Sequence, residues 1–226
     1  MNSQSVKPIT ISLAGEQQVS ALWLLPPQAW ACLVLAHGAG AGMQHPLMEA
    51  LSVELATLGL ASLRYQFPYM ERGSKRPDAP ALCHATVRAA VSAAASLAIG
   101  MPLFAGGKSF GGRMTSQAQA AAALQDVRGL VFFGFPLHPA GRPSATRGEH
   151  LTKVSIPMLF LQGTRDELAS LELLEPMVVN LGLRATLRII RDADHSFHVR
   201  ARSGRNDAAV RGELVQCMAE WGKTLV

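Results

Sequence analysis

The stretch Gly106-Gly107-Lys108-Ser109-Phe110-Gly111-Gly112, GGKSFGG, admits two structural interpretations. Its Gly-Lys-Ser could end a phosphate-binding loop, which requires the longer pattern Gly-x-x-x-x-Gly-Lys-Ser. The first glycine of that pattern falls on Pro102, which has no N–H and a fixed φ, and residues 103–105 indicate a strand instead of a loop. The phosphate-binding loop is therefore disfavoured.

The same stretch fits the Gly-x-Ser-x-Gly pattern of a nucleophile elbow centred on Ser109. The serine of an elbow lies on a strained turn between a strand and a helix. Side chains two positions before and after it would collide, because strand and helix pass closely there. Gly107 and Gly111 meet this requirement. The pattern is only moderately specific in a chain with 20 glycines, so partner residues must be found.

The composition predicts one well-packed domain. Of 226 residues, 49% are hydrophobic and 16% charged, which excludes an intrinsically disordered chain. No shift of composition, repeat or low-complexity linker marks a boundary, so we expect a single domain over residues 1–226.

Short apolar runs alternate with helical stretches along the chain. We predict strands at 9–13, 19–25, 31–36, 60–65, 102–105, 130–135, 157–162 and 186–190. Helices are predicted at 46–58, 80–98, 111–124, 170–181 and 207–225. This order predicts an initial hairpin followed by a mostly parallel, doubly wound eight-stranded sheet with helices on both faces. Ligands of such sheets bind at the carboxyl ends of the strands.

Three candidate catalytic residues follow strands in the order Ser, Asp, His. Ser109 follows strand 102–105, Asp166 follows strand 157–162 and His195 follows the last strand. A serine needs a base to become nucleophilic, and the base needs an orienting acid. The order is that of the α/β-hydrolases, so we predict Ser109 as nucleophile, His195 as base and Asp166 as acid.

Other residues of the same loop leave alternatives open. His198 is a reserve histidine, and Asp192 and Asp194 are reserve acids, although they lie too near His195 in sequence to reach its far nitrogen easily. The four residues could instead bind a metal, but no ligand comes from a second strand. We expect neither a metal nor a cofactor.

The glycine-rich run 37–42 follows strand 31–36, where an oxyanion-hole donor belongs. We predict the Phe110 amide as one donor and the Ala39 amide as the other, with Gly40 as the next choice. His37 is expected to hold this loop by hydrogen bonds and not to act as a base.

The predicted substrate site is shallow, because only about twenty residues separate strands 130–135 and 157–162, too few for a lid domain. Tyr65, Phe67 and Tyr69 on the loop after strand 60–65 could form an apolar wall, or pack that loop down. Lys108 and Arg113 flank the elbow and could favour an anionic substrate, or could be surface charge.

Charge and cysteine content suggest an intracellular protein. The net charge is +5, and arginines crowd late in the sequence, at positions 184, 188, 191, 200, 202, 205 and 211. Without aromatic interleaving we interpret them as a solvated basic surface and expect no nucleic-acid partner. Three cysteines without metal-ligand spacing fit reduced thiols, and no signal peptide or membrane-spanning run is recognised. We expect a cytoplasmic protein with no membrane partner; the oligomeric state stays open.

The segments HGAGAGMQHP, FPYMERG, GGKSFGGRM, QGTRDE and DADHSF resemble the α/β-hydrolase superfamily. More narrowly, they resemble its small capless serine hydrolases related to dienelactone hydrolase. They also resemble a bacterial family akin to the hydrolase-like domain in a subunit of an animal histone acetyltransferase complex. The resemblance spans nearly the whole chain and implies the α/β-hydrolase fold without a large cap domain, and the roles of Ser109, Asp166 and His195. Dienelactone hydrolases carry cysteine as nucleophile, so their substrate is not carried over.

These features together predict a serine hydrolase that cleaves a small-molecule carboxylic ester or thioester through an acyl-enzyme. A second interpretation is a binding or scaffold protein that keeps the hydrolase architecture with little or no turnover. Neither the acyl group nor the leaving group is specified by the sequence.

Overall fold

The computed structural model describes residues 5–226, so the part of the signal-peptide prediction that concerns residues 1–4 lies outside the described residues. An eight-stranded sheet has the strand order β1-β2-β4-β3-β5-β6-β7-β8. The strands are β1 (Val6–Ser12), β2 (Gln18–Leu24), β3 (Ala31–Ala36), β4 (Leu60–Tyr65), β5 (Leu103–Lys108), β6 (Val127–Phe133), β7 (Met158–Arg165) and β8 (Ala185–Asp194).

The strand directions agree with the predicted doubly wound sheet. β1 and β2 form an antiparallel hairpin, and β2 also pairs antiparallel with β4. The remaining ladders, from β4 through β3 and β5 to β8, are all parallel. The carboxyl ends of β3, β5, β6, β7 and β8 therefore meet along one edge of the sheet.

Helices cover both faces of the sheet. They are α1 (Pro46–Thr57), α2 (Pro68–Glu71), α3 (Pro80–Leu97), α4 (Phe110–Ala121), α5 (Leu171–Leu181) and α6 (Asp207–Lys223). Short 3₁₀ helices span Thr146–Lys153, Gly182–Arg184 and Ala201–Ser203. α1 and α6 pack on one face, and α3, α4 and α5 pack on the other. In β3, Leu33 and Leu35 pack against α1 and α6, whereas Cys32 and Val34 pack in the core on the opposite face. Because both faces of β3 are buried, its sequence is an uninterrupted apolar run.

Several elements differ from the prediction, among them β1, β6 and β8, whose bounds are shifted or extended by up to four residues. β5 continues to Lys108 instead of ending at residue 105, because Gly106 and Gly107 pair with both neighbouring strands. The four-residue helix α2 and the 3₁₀ helix Thr146–Lys153 lie in segments predicted as loops. The 3₁₀ helix is the main element between β6 and β7, so this segment is too small to form a cap domain. None of the helices described between residues 5 and 226 is long and apolar enough to cross a membrane.

Candidate active site

Ser109 lies on a sharp turn between β5 and α4. Its backbone has φ 50° and ψ −116°, a strained conformation for a residue other than glycine. A Cβ atom at Gly107 would stand 2.3 Å from the Ala36 carbonyl oxygen, and one at Gly111 would stand 2.6 Å from the same oxygen. The steric reason for glycine at both positions of the elbow is therefore present in this chain.

The side chains of Ser109, His195 and Asp166 meet at the carboxyl edge of the sheet. His195 Nε2 lies 2.8 Å from Ser109 Oγ, and His195 Nδ1 lies 2.7 Å from Asp166 Oδ2. An ionised carboxylate only accepts hydrogen bonds, so Nδ1 donates to Asp166 and Nε2 is left to accept the serine proton. The Asp166 side chain is fully buried and the imidazole is 22% exposed.

A residue that the sequence analysis did not select holds Asp166 in place. Gln162 Nε2 donates to Asp166 Oδ2, and the Leu168 amide donates to Asp166 Oδ1 at 2.8 Å. Gln162 is fixed in turn, because its Oε1 accepts from the Phe135 amide at 2.9 Å. The available signal was an uncharged polar side chain directly after the apolar run 158–161 of β7.

The reserve residues lie elsewhere. His198 Nδ1 pairs with the Asp207 carboxylate at 2.9 Å on the surface. Asp194 Oδ1 accepts from the amides of Ser196 and His198, so it stabilises the turn that carries His195. Within residues 5–226, no group of three or more His, Cys, Asp or Glu is placed to hold a metal ion.

The glycine-rich loop after β3 lies next to Ser109. A Cβ atom at Gly38 would stand 3.9 Å from Ser109 Cβ, and Ala39 lines the cavities beside the serine. Gly40 lines neither cavity, and a Cβ atom on it would stand 3.9 Å from Lys75 Cβ. The Phe110 amide belongs to the first residue of α4, so it has no acceptor within that helix.

His37 ties this loop to the segment after β4. Its Nδ1 donates to the Gly38 carbonyl at 2.8 Å, and its Nε2 accepts from the Phe67 amide at 3.1 Å. Burial lowers the pKa of His37 to about 4, which keeps the ring neutral and Nε2 able to accept. These bonds give His37 the structural role that we predicted.

The prediction that Tyr65, Phe67 and Tyr69 line the substrate site is wrong. All three side chains are fully buried. Phe67 packs edge-on against His37 and Phe110, at centroid distances of 5.0 and 5.5 Å. The aromatic residues instead pack the loop after β4 into the core, which was the second possibility. Phe67 thereby supports the two segments that carry the predicted oxyanion-hole amides, the loop after β3 and the start of α4.

Lys108 lines a cavity beside Ser109 and is not surface charge. Its Nζ is buried and makes no hydrogen bond to any residue in 5–226. As the last residue of β5, Lys108 points towards the α1/α6 face, where Nζ lies 5.5 Å from the centre of the Phe197 ring. A Cβ atom on Gly134 would stand 3.1 Å from this Nζ and 3.5 Å from both Asp166 Oδ2 and His195 Cε1. The ammonium therefore lies beside the histidine–aspartate pair.

Two cavities flank Ser109 and share Ala39 and Leu168 in their walls. The first, of about 360 Å³, has a largely apolar wall that includes Leu47 and Met48. The second, of about 450 Å³, runs along α4. The polar residues in its wall are Asp78, Arg113, Gln117 and Arg147. The two cavities therefore meet at Ser109.

The comparisons with known proteins give one family and several similar structures. The model of the family described as alpha/beta hydrolase domain matches residues 29–223. Dienelactone hydrolase from Anabaena variabilis is similar, with a TM-score of 0.79 and 20% identity over 98% of each chain. An α/β serine hydrolase without a lid from Xanthomonas campestris has a TM-score of 0.74 and 20% identity, over 96% of this chain and 95% of that chain.

The esterase domain of a Rhodothermus marinus protein has a TM-score of 0.74 and 16% identity, over 97% of this chain and 98% of that chain. At such identities these likenesses establish the fold. The predicted α/β-hydrolase fold without a large cap is confirmed.

Proposed function

Because the chain belongs to the alpha/beta hydrolase domain family, we propose that it is a serine hydrolase that cleaves a carboxylic ester or thioester through an acyl-enzyme. The observation that carries this proposal is the continuous hydrogen-bonded series from Ser109 through His195 to the buried Asp166. A serine hydroxyl without such a base is a poor nucleophile at neutral pH.

In the first half of the reaction, Ser109 Oγ attacks the carbonyl carbon while its proton moves to His195 Nε2. The electron pair of the carbonyl π bond moves to oxygen, which becomes an oxyanion. Asp166 accepts from Nδ1 and stabilises the positive imidazolium that forms. Gln162 keeps the carboxylate directed at the ring.

The amides of Phe110 and Ala39 are the proposed donors to the oxyanion. Each such donor contributes about 3 kcal/mol to stabilising the transition state. When the intermediate collapses, the bond to the leaving alcohol or thiol breaks and the leaving group takes the proton from Nε2. Water then attacks the acyl-enzyme with His195 as base, which releases the acid and restores Ser109.

Covalent labelling tests the proposed nucleophile. A fluorophosphonate probe, followed by intact mass, is expected to add one probe per chain. Ser109→Ala should abolish labelling, and His195→Ala should slow it by at least about 100-fold, because general-base activation contributes 10²–10⁴-fold. Ser92→Ala is the control, since Ser92 is exposed on α3, lines neither cavity beside Ser109 and should leave labelling unchanged.

Absence of labelling in folded wild-type protein would refute the proposed activated serine and favour a binding or scaffold protein. If labelling succeeds, turnover of 4-nitrophenyl esters and matched acyl thioesters of increasing length separates esterase from thioesterase chemistry.

The burial of two cysteines is relevant to the cellular compartment. Cys32 and Cys83 are buried free thiols whose pKa values are raised by burial. We propose the reducing cytoplasm as the compartment.

A further inference from the structure

The two cavities beside Ser109 differ in chemical character. The first is bordered by the apolar side chains of Leu47 and Met48, with Lys108 also in its wall. The second places two guanidinium groups in its wall, those of Arg113 and Arg147. Ser109 belongs to both cavities, so a substrate with its carbonyl at Oγ extends into each of them.

The two arginines come from different elements. Arg113 lies one helical turn after Ser109 on α4, and Arg147 comes from the 3₁₀ helix Thr146–Lys153. Both are half-buried. Neither guanidinium makes a hydrogen bond or an ion pair with any described residue, 5–226, and the Arg113 Nε is buried without a partner. Arg113 does stack near the Phe110 ring, with Cζ 5.9 Å from the ring centre.

Neither guanidinium is paired with a carboxylate in the described residues, 5–226. Asp78 is the acidic residue in the cavity wall; its Oδ1 is paired with Arg72, whereas its Oδ2 is buried without a partner. The pKa of Arg113 is lowered, first by burial and then by the positive charge of Arg147. Burial also lowers the pKa of His150 to about 4, helped by the charges of Arg113 and His84. Two partly desolvated cations that repel each other are stabilised by an anion placed between them.

We propose that the Arg113–Arg147 cavity binds an anionic group of the substrate, a carboxylate or a phosphate. Guanidinium groups suit this role because their planar N–H pairs match the oxygens of both anions. The substrate is then an ester or thioester with an apolar half beside Leu47 and Met48 and an anionic half beside the arginines. The inference rests on the proposed function in taking Ser109 as the nucleophile.

Matched ester pairs test the anionic half. The mono-4-nitrophenyl ester of glutaric acid is compared with neutral 4-nitrophenyl pentanoate, which places the carboxylate on the acyl side. The pentanoate ester of 4-hydroxybenzoate is compared with that of 4-hydroxybenzamide, which places it on the leaving group. 4-Nitrophenyl 4-phosphonobutanoate distinguishes a phosphate-type group from a carboxylate. We expect at least one anionic ester to exceed its neutral partner in kcat/KM by tenfold or more, about the value of one charged hydrogen bond.

Variants assign the preference to the arginines. Arg113→Gln with Arg147→Gln should lower kcat/KM for the preferred anionic ester by about 100-fold and change the neutral ester by less than about threefold. Arg142→Gln is the matched control, because Arg142 is exposed and lies outside the cavity. If loss of the more buried Arg113 impairs folding, Arg147→Gln alone still tests the inference. It should reduce the ratio of kcat/KM for the anionic ester to that for the neutral ester about tenfold.

Binding without catalysis separates this inference from the proposed function. In Ser109→Ala, glutarate or inorganic phosphate should raise the Tm, and the two arginine substitutions should remove that increase. Equal rates for anionic and neutral esters, or rates insensitive to the arginine substitutions, would overturn the inference even when Ser109 is labelled. Anion binding lost with the arginines in a protein that is never labelled would support the anion site while refuting the hydrolase.

Discussion

At the scale of single residues, burial of the Lys108 amino group opposes folding. Burial lowers the pKa of Lys108 to about 8, although Asp166 and Asp194 act in the opposite direction. The unfolded chain has the ordinary value of 10.5, so it holds the proton more tightly than the folded chain. The charged lysine therefore opposes folding fully below pH 8, and this opposition disappears as the pH approaches 10.5.

We predict that Lys108→Met raises the free energy of unfolding at pH 7 by up to about 3 kcal/mol, because a shift of one pKa unit corresponds to about 1.4 kcal/mol. The gain should shrink as the pH rises from about 8 to 10.5. Urea unfolding at several pH values measures it, with Lys153→Met as an exposed control. A variant less stable than wild type at pH 7 would show that the attraction of the ammonium to the Phe197 ring, Asp166 and Asp194 exceeds its desolvation cost.

The residues of the site differ in how far the sequence predicts them. Ser109, Asp166 and His195 each follow a parallel strand, so topology alone brings them to one edge, and the structure places them in hydrogen-bonding order. Their catalytic roles stay predictions until labelling is measured. Lys108 was selected as a candidate, but its burial was not predicted, because a charged side chain is normally assigned to the surface. Its burial depends on Gly134 and Phe197, which are distant in sequence and offer no local signal.

At the scale of elements, the contact of α4 with the end of β3 limits which side chains the elbow accepts. A Cβ atom on Gly111 would lie 2.6 Å from the carbonyl oxygens of both Ala36 and His37. These oxygens belong to the backbone, so no rotamer change relieves the contact. Gly212, an exposed glycine within α6, has nothing within 4 Å of its Cβ position.

We therefore predict opposite effects of the same substitution in two helices. Gly111→Ala should lower stability by at least about 2 kcal/mol through overpacking, and slow fluorophosphonate labelling because Ser109 shifts. Gly212→Ala should raise stability by about 0.5–1 kcal/mol, because alanine is the better helix former. Calorimetry on both variants measures the difference. Similar small changes in both proteins would mean that α4 moves away from β3 at little cost.

The bounds of an element were predicted most accurately where its local sequence pattern was clearest. The bounds of β3 and β4 agree with the sequence prediction, because both are short, fully buried strands delimited by glycine or polar residues. β5 was predicted too short, because Gly106 and Gly107 have weak strand propensity and only the ladders to β3 and β6 hold them. α2 has four residues, too few for a helical period to be visible.

At the scale of the whole molecule, the two cores are joined by the strands between them. Leu33 and Leu35 of β3 pack with α1 and α6, whereas Cys32 and Val34 pack with α3 and its neighbours. Melting either face would expose alternate residues of the same buried strands. From this we propose that residues 1–226 fold as a single domain with one cooperative transition, a property that composition alone only suggested.

Tryptophan placement makes this proposal measurable. Trp23 is buried in the core beneath α3, whereas Trp30 and Trp221 pack on the α1/α6 face around Phe104. A variant with Trp30→Phe and Trp221→Phe reports through Trp23 on the face covered by α3, α4 and α5, and Trp23→Phe reports on the face covered by α1 and α6.

In each variant, urea unfolding followed by fluorescence should coincide with unfolding followed by far-ultraviolet circular dichroism, and calorimetric and van't Hoff enthalpies should agree. Comparison within a variant removes the effect of the substitution on stability. A fluorescence midpoint that precedes the circular dichroism midpoint in only one variant would show that its face melts separately. Because Ser109 lies at the turn into α4 and His195 follows β8, separate melting of either face would abolish fluorophosphonate labelling before the sheet unfolds.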